Sequence, residues 1–208
     1  MKKSNIIIEG KELLEDEYRI NNFGENAYKT ASLISELGVK ECYINIINSS
    51  FDDGVLENEI VENVGNRSFI NFNLLKDDNL LSYNDYNWLD TNEVSRTGDN
   101  EILRVAYENS KGLLNEKLQE FMLENIKWLD DYSLYVVASK IIGMDTFADW
   151  KIYKARNIGS IESLRHDFED DINFEIFKQY EFHKQWRNLK SYFLDLGVKV
   201  KRIYKVQN

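Results

Sequence analysis

The stretch FEIFKQYEFHKQWRNLKSYFLDLGVKVKRIYKVQN, from Phe174 to Asn208, joins a helix pattern to a strand pattern in one continuous run. Its apolar residues recur every three or four positions, which predicts an amphipathic helix. They are Phe182, Trp186, Leu189, Phe193 and Leu196. Gly197 is the type of residue that ends a helix, and the β-branched run after it predicts a strand. A helix that leads directly into a strand is a building unit of α/β folds.

The first fifty residues show the same organisation. The apolar run Ile6–Ile8 is consistent with a short buried strand. Asn22 and Glu25 have the spacing of a helix cap, and the apolar pattern that follows ends at Gly38. The next run, VKECYINIINSS, is the best strand candidate in the chain because it is rich in β-branched and aromatic residues. Residues 1–50 are therefore predicted to form a β-α-β unit.

The remainder divides into a loop-rich region, 51–98, and a helical region, 99–208, that ends in the strand described above. Ser82 and Asp85 have the spacing of a capping box and predict a short helix in the loop-rich region. With 208 residues, of which 43% are hydrophobic, the chain can bury one substantial core. We therefore expect a single domain, 1–208.

Composition excludes several classes of partner. The net charge of −10 argues against a nucleic-acid partner, because phosphate binding needs a basic face. No apolar run approaches the roughly 20 residues of a membrane span, so no membrane association is expected. Cys42 is the single cysteine and cannot form an internal disulfide, which favours a cytoplasmic location.

Residues that commonly carry chemistry are sparse. His166 and His183 are the only histidines and lie in polar helical stretches, where a surface position is the expected one. No metal-binding spacing and no phosphate-binding glycine loop occurs, so no metal and no cofactor is assigned. Cys42 lies in an apolar strand pattern, which is typical of an inert buried thiol. The residues alone therefore indicate no catalytic site.

Acidic doublets and tryptophans are the remaining candidates. The doublets are Asp52-Asp53, Asp77-Asp78, Asp130-Asp131 and Asp170-Asp171. Their positions favour helix caps or solvated surface over a pair of catalytic carboxylates. Trp88 and Trp150 are weak candidates for stacking on sugar rings, with a core or capping role favoured for both, and Trp128 is expected in the core.

Two helical segments carry a resemblance to a known family. The first is LQEFMLENIKWLDDYSLYVVASK (118–140) and the second is FEIFKQYEFHKQWRNLKSYFLDLGV (174–198). Both are similar to stretches of the amylomaltases, the 4-α-glucanotransferases of glycoside hydrolase family seventy-seven, and they occur in the same order and spacing. GVKECYINIINSS and GNRSFINFNLL (65–75) resemble that family's first barrel strand and the end of a loop that contacts glucan. The resemblance covers about residues 5–200 and corresponds to the N-terminal portion of the family.

The departures from the family pattern concentrate in loops and strands. The chain contains no proline, whereas average usage would give about 5%. Family prolines are replaced here by Glu9, Glu15, Glu17, Ile46, Ser49, Leu56 and Arg67. The glucan-contacting loop resembles VLENEIVENVGN here and carries Glu57, Glu59 and Glu62, and Cys42 and Tyr43 stand where the family has tryptophan and glutamine. In the strand at the end of the sequence, Lys201 and Arg202 replace isoleucine and glycine.

The resemblance implies a truncated, diverged relative of a (β/α)₈ enzyme. The family's catalytic carboxylates lie beyond the matched part, so no catalytic residue is carried over, and the chain is expected to be a pseudoenzyme or fragment, inactive alone. It would act at most as a weak glucan-binding or accessory protein, with α-glucan or a full-length glucanotransferase as partner. An interaction or regulatory protein without a sugar ligand, half of a split enzyme and a decaying gene product are the alternatives.

The expected fold is α+β and mostly α-helical: a partial (β/α) barrel fragment with a helical insertion and a small, largely parallel sheet. The sheet is expected to combine residues 5–9, 40–48 and 198–206. Because an unpaired strand exposes its edge, dimerisation of two copies through that edge is also expected.

Overall fold

The computed structural model describes residues 6–8, 11–13, 20, 22–44, 63–85, 98–144 and 147–202. The strands are β1 (Ile6–Ile8), β2 (Lys11–Leu13), β3 (Glu41–Ile44) and β4 (Lys199–Arg202). The helices are α1 (Glu25–Glu36), α2 (Phe72–Asp77), α3 (Gly98–Ser110), α4 (Asn115–Glu124), α5 (Ile126–Ile142), α6 (Phe147–Arg156), α7 (Ile158–Asp167) and α8 (Glu169–Asp195). A 3₁₀ turn, Arg67–Phe69, precedes α2. Within the described residues, no helix has the length and apolarity to cross a membrane.

Helices α1 and α8 end in the same way, and each leads into a strand of the parallel sheet. Gly38 and Gly197 have φ values of 74° and 75°, a left-handed conformation that glycine adopts without steric cost. After α8, Gly197 N–H donates to the carbonyl of Leu194 and Val198 N–H to that of Phe193, as in a Schellman motif. The predicted helix ends at both glycines are therefore confirmed.

The strands form two separate pairs. β3 and β4 are parallel, with Glu41 opposite Lys199 and Ile44 opposite Arg202. β1 pairs with β2 in an antiparallel hairpin rather than joining β3 and β4, so the expected sheet of 5–9, 40–48 and 198–206 was wrong in this part. Pairing with the neighbouring residues closes a much shorter loop and so costs less chain entropy. Residues 45–48 and 203–206 of the expected strands lie outside the described residues.

Helix α8 is the central element, and two hydrophobic clusters pack against it. The first cluster packs the sheet face, α1 and α3 against residues of α8 that extend from Phe174 to Phe193. Phe182, Leu189 and Phe193 of this cluster are each 0% exposed. The second cluster packs α5, α6 and α7 against Ile172 and Ile176 at the start of α8. Trp128 is 4% exposed in this second cluster, as predicted.

One local prediction for a helix was wrong. Asn22 accepts a hydrogen bond from Gly24 N–H at 2.9 Å, but Gly24 is the residue that caps α1 and no side chain caps the helix. Helices α4 and α5 are separated by a break at Asn125, and Ile126 at the start of α5 is 58% exposed. By contrast, the capping box is confirmed, since Asp85 Oδ2 accepts from the amide of Ser82 at 2.7 Å.

Candidate functional site

A row of buried polar side chains runs along α8 and binds the backbone of residues 63–71. Gln179 is 2% exposed, accepts from Gly65 N–H at 2.8 Å and donates to Gly65 C=O at 3.2 Å. Gln185 is 1% exposed and does the same for Asn71, at 2.8 and 3.3 Å. Each glutamine carboxamide therefore pairs with both the backbone N–H and the backbone C=O of one residue, as the backbone of a neighbouring β-strand would. The two glutamines fix both ends of this segment on the helix.

Glycine at position 65 permits this close approach. A Cβ atom built on Gly65 would overlap the ring of Phe182, which lies on α8 between the two glutamines. The ring of Phe182 also packs on Phe23, with centroids 5.1 Å apart, so it has no room to move aside. The segment thus lies directly against the helix because residue 65 lacks a side chain.

His183 takes part in the same contact, which corrects the prediction of a surface position. Its Nε2–H donates to the carbonyl of Asn63 at 2.8 Å, and its ring packs against Phe121 and Trp128. The side chain is half-buried. His166 is exposed, as predicted, with 89% of its side chain accessible.

An ion-pair group centred on the buried Glu175 borders a cleft of about 440 Å³ between α3, α5 and α8. Glu175, with 5% of its side chain exposed, accepts from Lys178 at 2.7 Å and from Lys140 at 2.9 Å. Burial alone would raise the pKa of Glu175, but the two ammonium groups outweigh it and lower the pKa. Glu175 is thus held as a carboxylate with both oxygens engaged, which is unsuitable for a general acid.

The pKa of Glu181 is shifted in the opposite direction to that of Glu175. Glu181 is 0% exposed, burial raises its pKa against the opposing effect of Lys184, and its Oε2 accepts no hydrogen bond. A carboxyl group with a raised pKa is a recurrent feature of acid catalysts. In this structure, however, Glu181 lies inside the packed helix interface, where a substrate does not reach it.

The described acidic doublets connect helices to one another, which was not predicted, although Asp170 and Asp171 also have the expected exposed position in the first turn of α8. Asp130 accepts two hydrogen bonds of 2.6 Å from the guanidinium of Arg165. Asp131 accepts from Lys154 at 2.6 Å. Asp170 and Asp171 both bind Arg104 on α3. In the doublet Asp77-Asp78, Asp78 forms an ion pair with Lys184 of α8 at 2.9 Å. The doublet Asp52-Asp53 lies outside the described residues.

Of Trp88 and Trp150, the two candidates for stacking on sugar rings, the structure describes only Trp150. Trp150 is 0% exposed, and its indole N–H donates to Asp131 at 3.0 Å. Neither ring face is therefore open to a sugar in this structure, which agrees with the core position that was favoured. Trp88 lies outside the described residues.

The sheet presents one apolar face and one charged face. Ile44 and Val200 are 7% exposed and pack towards α1 and α8. The opposite face carries Glu41, Tyr43, Lys199 and Lys201. Lys201 forms an ion pair with Glu41, and its ammonium lies 5.6 Å from the centroid of the Tyr43 ring.

The Cys42 thiol and the placement of metal-ligating side chains also bear on the chemistry of the chain. Cys42 is a half-buried free thiol, and burial raises its pKa to about 11, which keeps it protonated at neutral pH. Among the described residues, no group of three or more His, Cys, Asp and Glu side chains is placed to hold a metal ion.

Sequence reasoning missed the two glutamines that hold residues 63–71. The only available signal was that Gln179 and Gln185 lie among aromatic and aliphatic residues of α8 that pattern analysis places in the core. Nothing in the sequence identified their partners, which are 114 residues away in the chain.

Comparison with known proteins gives a consistent result. Residues 14–204 match the family model described as 4-alpha-glucanotransferase. The chain is 31% identical over 197 residues to the 4-alpha-glucanotransferase of Clostridium butyricum, covering 90% of this chain and 40% of that protein. It is 24% identical over 200 residues to the enzyme of the same name from Aquifex aeolicus, covering 90% of this chain and 39% of the relative.

The fold is similar to that of the amylomaltase from Streptococcus agalactiae, solved in complex with acarbose. The TM-score is 0.72 at 24% identity, over 89% of this chain and 40% of that structure. The chain thus spans about two fifths of the length of each of these three proteins.

Proposed function

Since the chain belongs to the 4-alpha-glucanotransferase family, we propose that its 208 residues form a glucan-binding or accessory scaffold that does not transfer glucosyl groups by itself. The fold in this proposal is a partial (β/α) barrel fragment that carries a helical insertion. The proposed partners are α-glucan and a full-length glucanotransferase, in the cytoplasm. Dimerisation of two copies through the edge of the β3–β4 sheet is part of the same proposal.

The charged face of the β3–β4 sheet is the observation that carries the proposal. In a closed (β/α)₈ barrel, the strand face turned away from the helices points into an interior filled mainly by branched apolar side chains. Here that face carries Glu41, Lys199 and Lys201, together with the 57% exposed Tyr43. Burying these charges in a closed barrel would cost far more than their mutual pairing returns. A sheet face of this composition favours contact with water over closure into a barrel.

The state of the carboxylates gives independent support. Glycosyl transfer through a covalent intermediate needs two carboxyl groups about 5–5.5 Å apart on either side of the bond, one of them protonated. The described carboxylates with buried or half-buried side chains include Asp131 and Glu175, which are bound by lysine, and Glu181, which is inside the helix interface. None of these three is presented to a ligand as such a pair.

The direct test is a transfer assay with the purified 208-residue protein. We expect incubation with maltotriose to yield neither glucose nor longer maltodextrins, while the Clostridium butyricum relative does so under the same conditions. Robust disproportionation by the pure chain, retained after a second chromatographic step, would refute the proposal.

An interaction protein without a sugar ligand is the second candidate, and exposed apolar residues favour it. Leu113, Leu123 and Ile126 are 66%, 72% and 58% exposed around α4. Apolar side chains with this exposure are common at protein–protein contacts when they cluster. A nuclear magnetic resonance titration with maltodextrins separates the candidates, since the interaction protein would show no saturable shift.

A further inference from the structure

A second cleft, of about 530 Å³, lies between the α3–α4 connection, α4 and the first turns of α8. Its volume falls within the roughly 300–1,000 Å³ typical of small-molecule sites. Leu118, Met122 and Ile176 provide apolar lining, whereas Asn115, Gln119 and Asn173 provide carboxamides. The cleft therefore combines apolar surface with uncharged hydrogen-bonding groups.

Lys111, which lines this cleft, and Arg104, which lies beside it, are already paired with carboxylates. Lys111 forms ion pairs with Asp170 at 2.7 Å and Glu108 at 2.8 Å. Arg104 binds Asp170 at 3.0 Å and Asp171 at 2.9 Å. An anionic ligand would have to displace these carboxylates, and the further acidic residue at the cleft, Glu169, would repel it. The local charge distribution thus disfavours phosphorylated or acidic ligands.

The carboxamides, in contrast, have unused hydrogen-bonding capacity. Among the residues that the structure describes, Asn115 engages only its oxygen, which accepts from Gly112 N–H at 3.4 Å. Within the described part of the chain, the side chains of Gln119 and Asn173 make no hydrogen bond. A carboxamide donates and accepts at once, which matches a hydroxyl group that also does both. Carboxamides beside the apolar side chains of this cleft are therefore suited to a neutral ligand that has many hydroxyl groups and apolar C–H faces.

We propose that this cleft binds a short α-1,4-linked glucan, with Asn173 and Gln119 donating to and accepting from its hydroxyl groups. The identification of the sugar rests on the proposed function, while the location and neutrality of the ligand rest on the cleft itself. The sugar rings lie against Met122 and Ile176. Because no aromatic ring is exposed as a platform within this cleft, binding is in the millimolar range typical of a few hydrogen bonds.

The test is a titration of the ¹⁵N-labelled chain with maltotetraose, followed through backbone and side-chain amide signals. We expect saturable shifts confined to residues 111–122 and 169–176, including the side-chain signals of Gln119 and Asn173. Cellotetraose, the β-linked isomer, and glucose 6-phosphate serve as the comparison ligands and are expected to bind at least about fivefold more weakly.

Two cleft variants and one control keep the test decisive. Asn173→Ala and Gln119→Ala are each expected to weaken maltotetraose binding about fivefold, the effect of losing one hydrogen bond. Asn188→Ala, an exposed asparagine of the same helix outside the cleft, is expected to leave the affinity unchanged. Gln119 is exposed, so its variant is informative even if Asn173→Ala lowers stability.

Shifts that are absent, that map elsewhere, that persist unchanged in both variants or that favour glucose 6-phosphate would overturn the assignment. These outcomes are separate from failure of the proposed function. Glucan transfer by the pure chain contradicts the proposed function, whatever the cleft binds. Absence of transfer together with saturable maltotetraose shifts that map outside the cleft contradicts the cleft assignment alone, whereas absence of any saturable shift also favours the interaction protein without a sugar ligand.

Discussion

At the scale of single residues, Gly65 and Gln179 show how a polar segment is held against a helix. The backbone of Gly65 is paired in both directions by one buried amide, and its missing side chain lets Phe182 lie directly against it. Both contacts would be invisible to a periodicity argument, because they join residues more than a hundred positions apart. The hydrophobic positions of α8, such as Phe182, were in contrast predictable from spacing alone.

Replacing Gly65 with alanine tests the close approach. We expect Gly65→Ala to lower the free energy of unfolding by about 1–3 kcal/mol, because the added methyl forces Phe182 out of its position. Urea denaturation followed by circular dichroism measures the effect. Gly159→Ala is the matched control, since a Cβ there meets nothing within 4 Å in helix α7, and it should be neutral or stabilising by up to about 1 kcal/mol. Equal effects of the two substitutions would contradict this explanation.

Replacing Gln179 with leucine tests the amide pairing. The change keeps the volume but leaves the N–H and C=O of Gly65 buried without partners, so we expect a loss of about 2–3 kcal/mol. Hydrogen exchange should accelerate at the Gly65 amide more than at amides in the middle of α5. Asn188→Ala, which is exposed, should change stability by less than about 0.5 kcal/mol. Unchanged protection of Gly65 would show that the pairing is unimportant.

At the scale of elements, charged residues at the start of α8 attach it to α3. Asp170 accepts from Lys111 at 2.7 Å and from the hydroxyl of Tyr107 at 3.0 Å. The hydrogen bond from Lys111 is the main cause that lowers the pKa of Asp170 below its usual 3.8, and Tyr107, Arg104 and the charge of Lys111 act in the same direction. The sequence showed the Asp170-Asp171 doublet but not its partners, because helix packing brings α3 and α8 together.

This contact predicts a specific pH dependence. Because the folded-state pKa is lowered, the stabilisation is complete above about pH 4 and is lost as the pH falls through the folded-state value. We expect Asp170→Asn to destabilise the protein by up to about 1 kcal/mol at pH 7, since the side chain is 52% exposed, and by much less at pH 2. Urea midpoints at the two pH values measure this. Asp195→Asn, an exposed site at the other end of α8, should lack the difference, and a pH-independent effect of Asp170→Asn would contradict the assignment.

At the scale of the whole molecule, α8 belongs to both hydrophobic clusters and should make them unfold together. Ile172 and Ile176 lie in one cluster, and Leu189 and Phe193 in the other. A continuous helix shared by two clusters couples their stability, because neither can lose its packing without exposing part of the same element. The described part of the chain is therefore expected to behave as one cooperative unit.

Two core truncations test this cooperativity. Leu189→Ala in the first cluster and Leu134→Ala in the second remove side chains that are 0% exposed. Each should lower stability by about 2–5 kcal/mol and shift the same single transition, with an unchanged denaturant slope. Far-ultraviolet circular dichroism and tryptophan fluorescence should give coincident curves in every variant. Separate transitions for the two probes would show that the clusters are independent.

The sequence by itself determined the helical character, the glycine-terminated helix ends at 38 and 197, the family and the buried positions of α8. These features are local or periodic, so neighbouring residues specify them. Only the tertiary structure decided that β1 pairs with β2, that His183 is half-buried, that the acidic doublets join helices and that Gln179 holds Gly65. These contacts join residues that are distant in the chain or depend on competing pairings, and their energies exist only once α8 has brought the partners together.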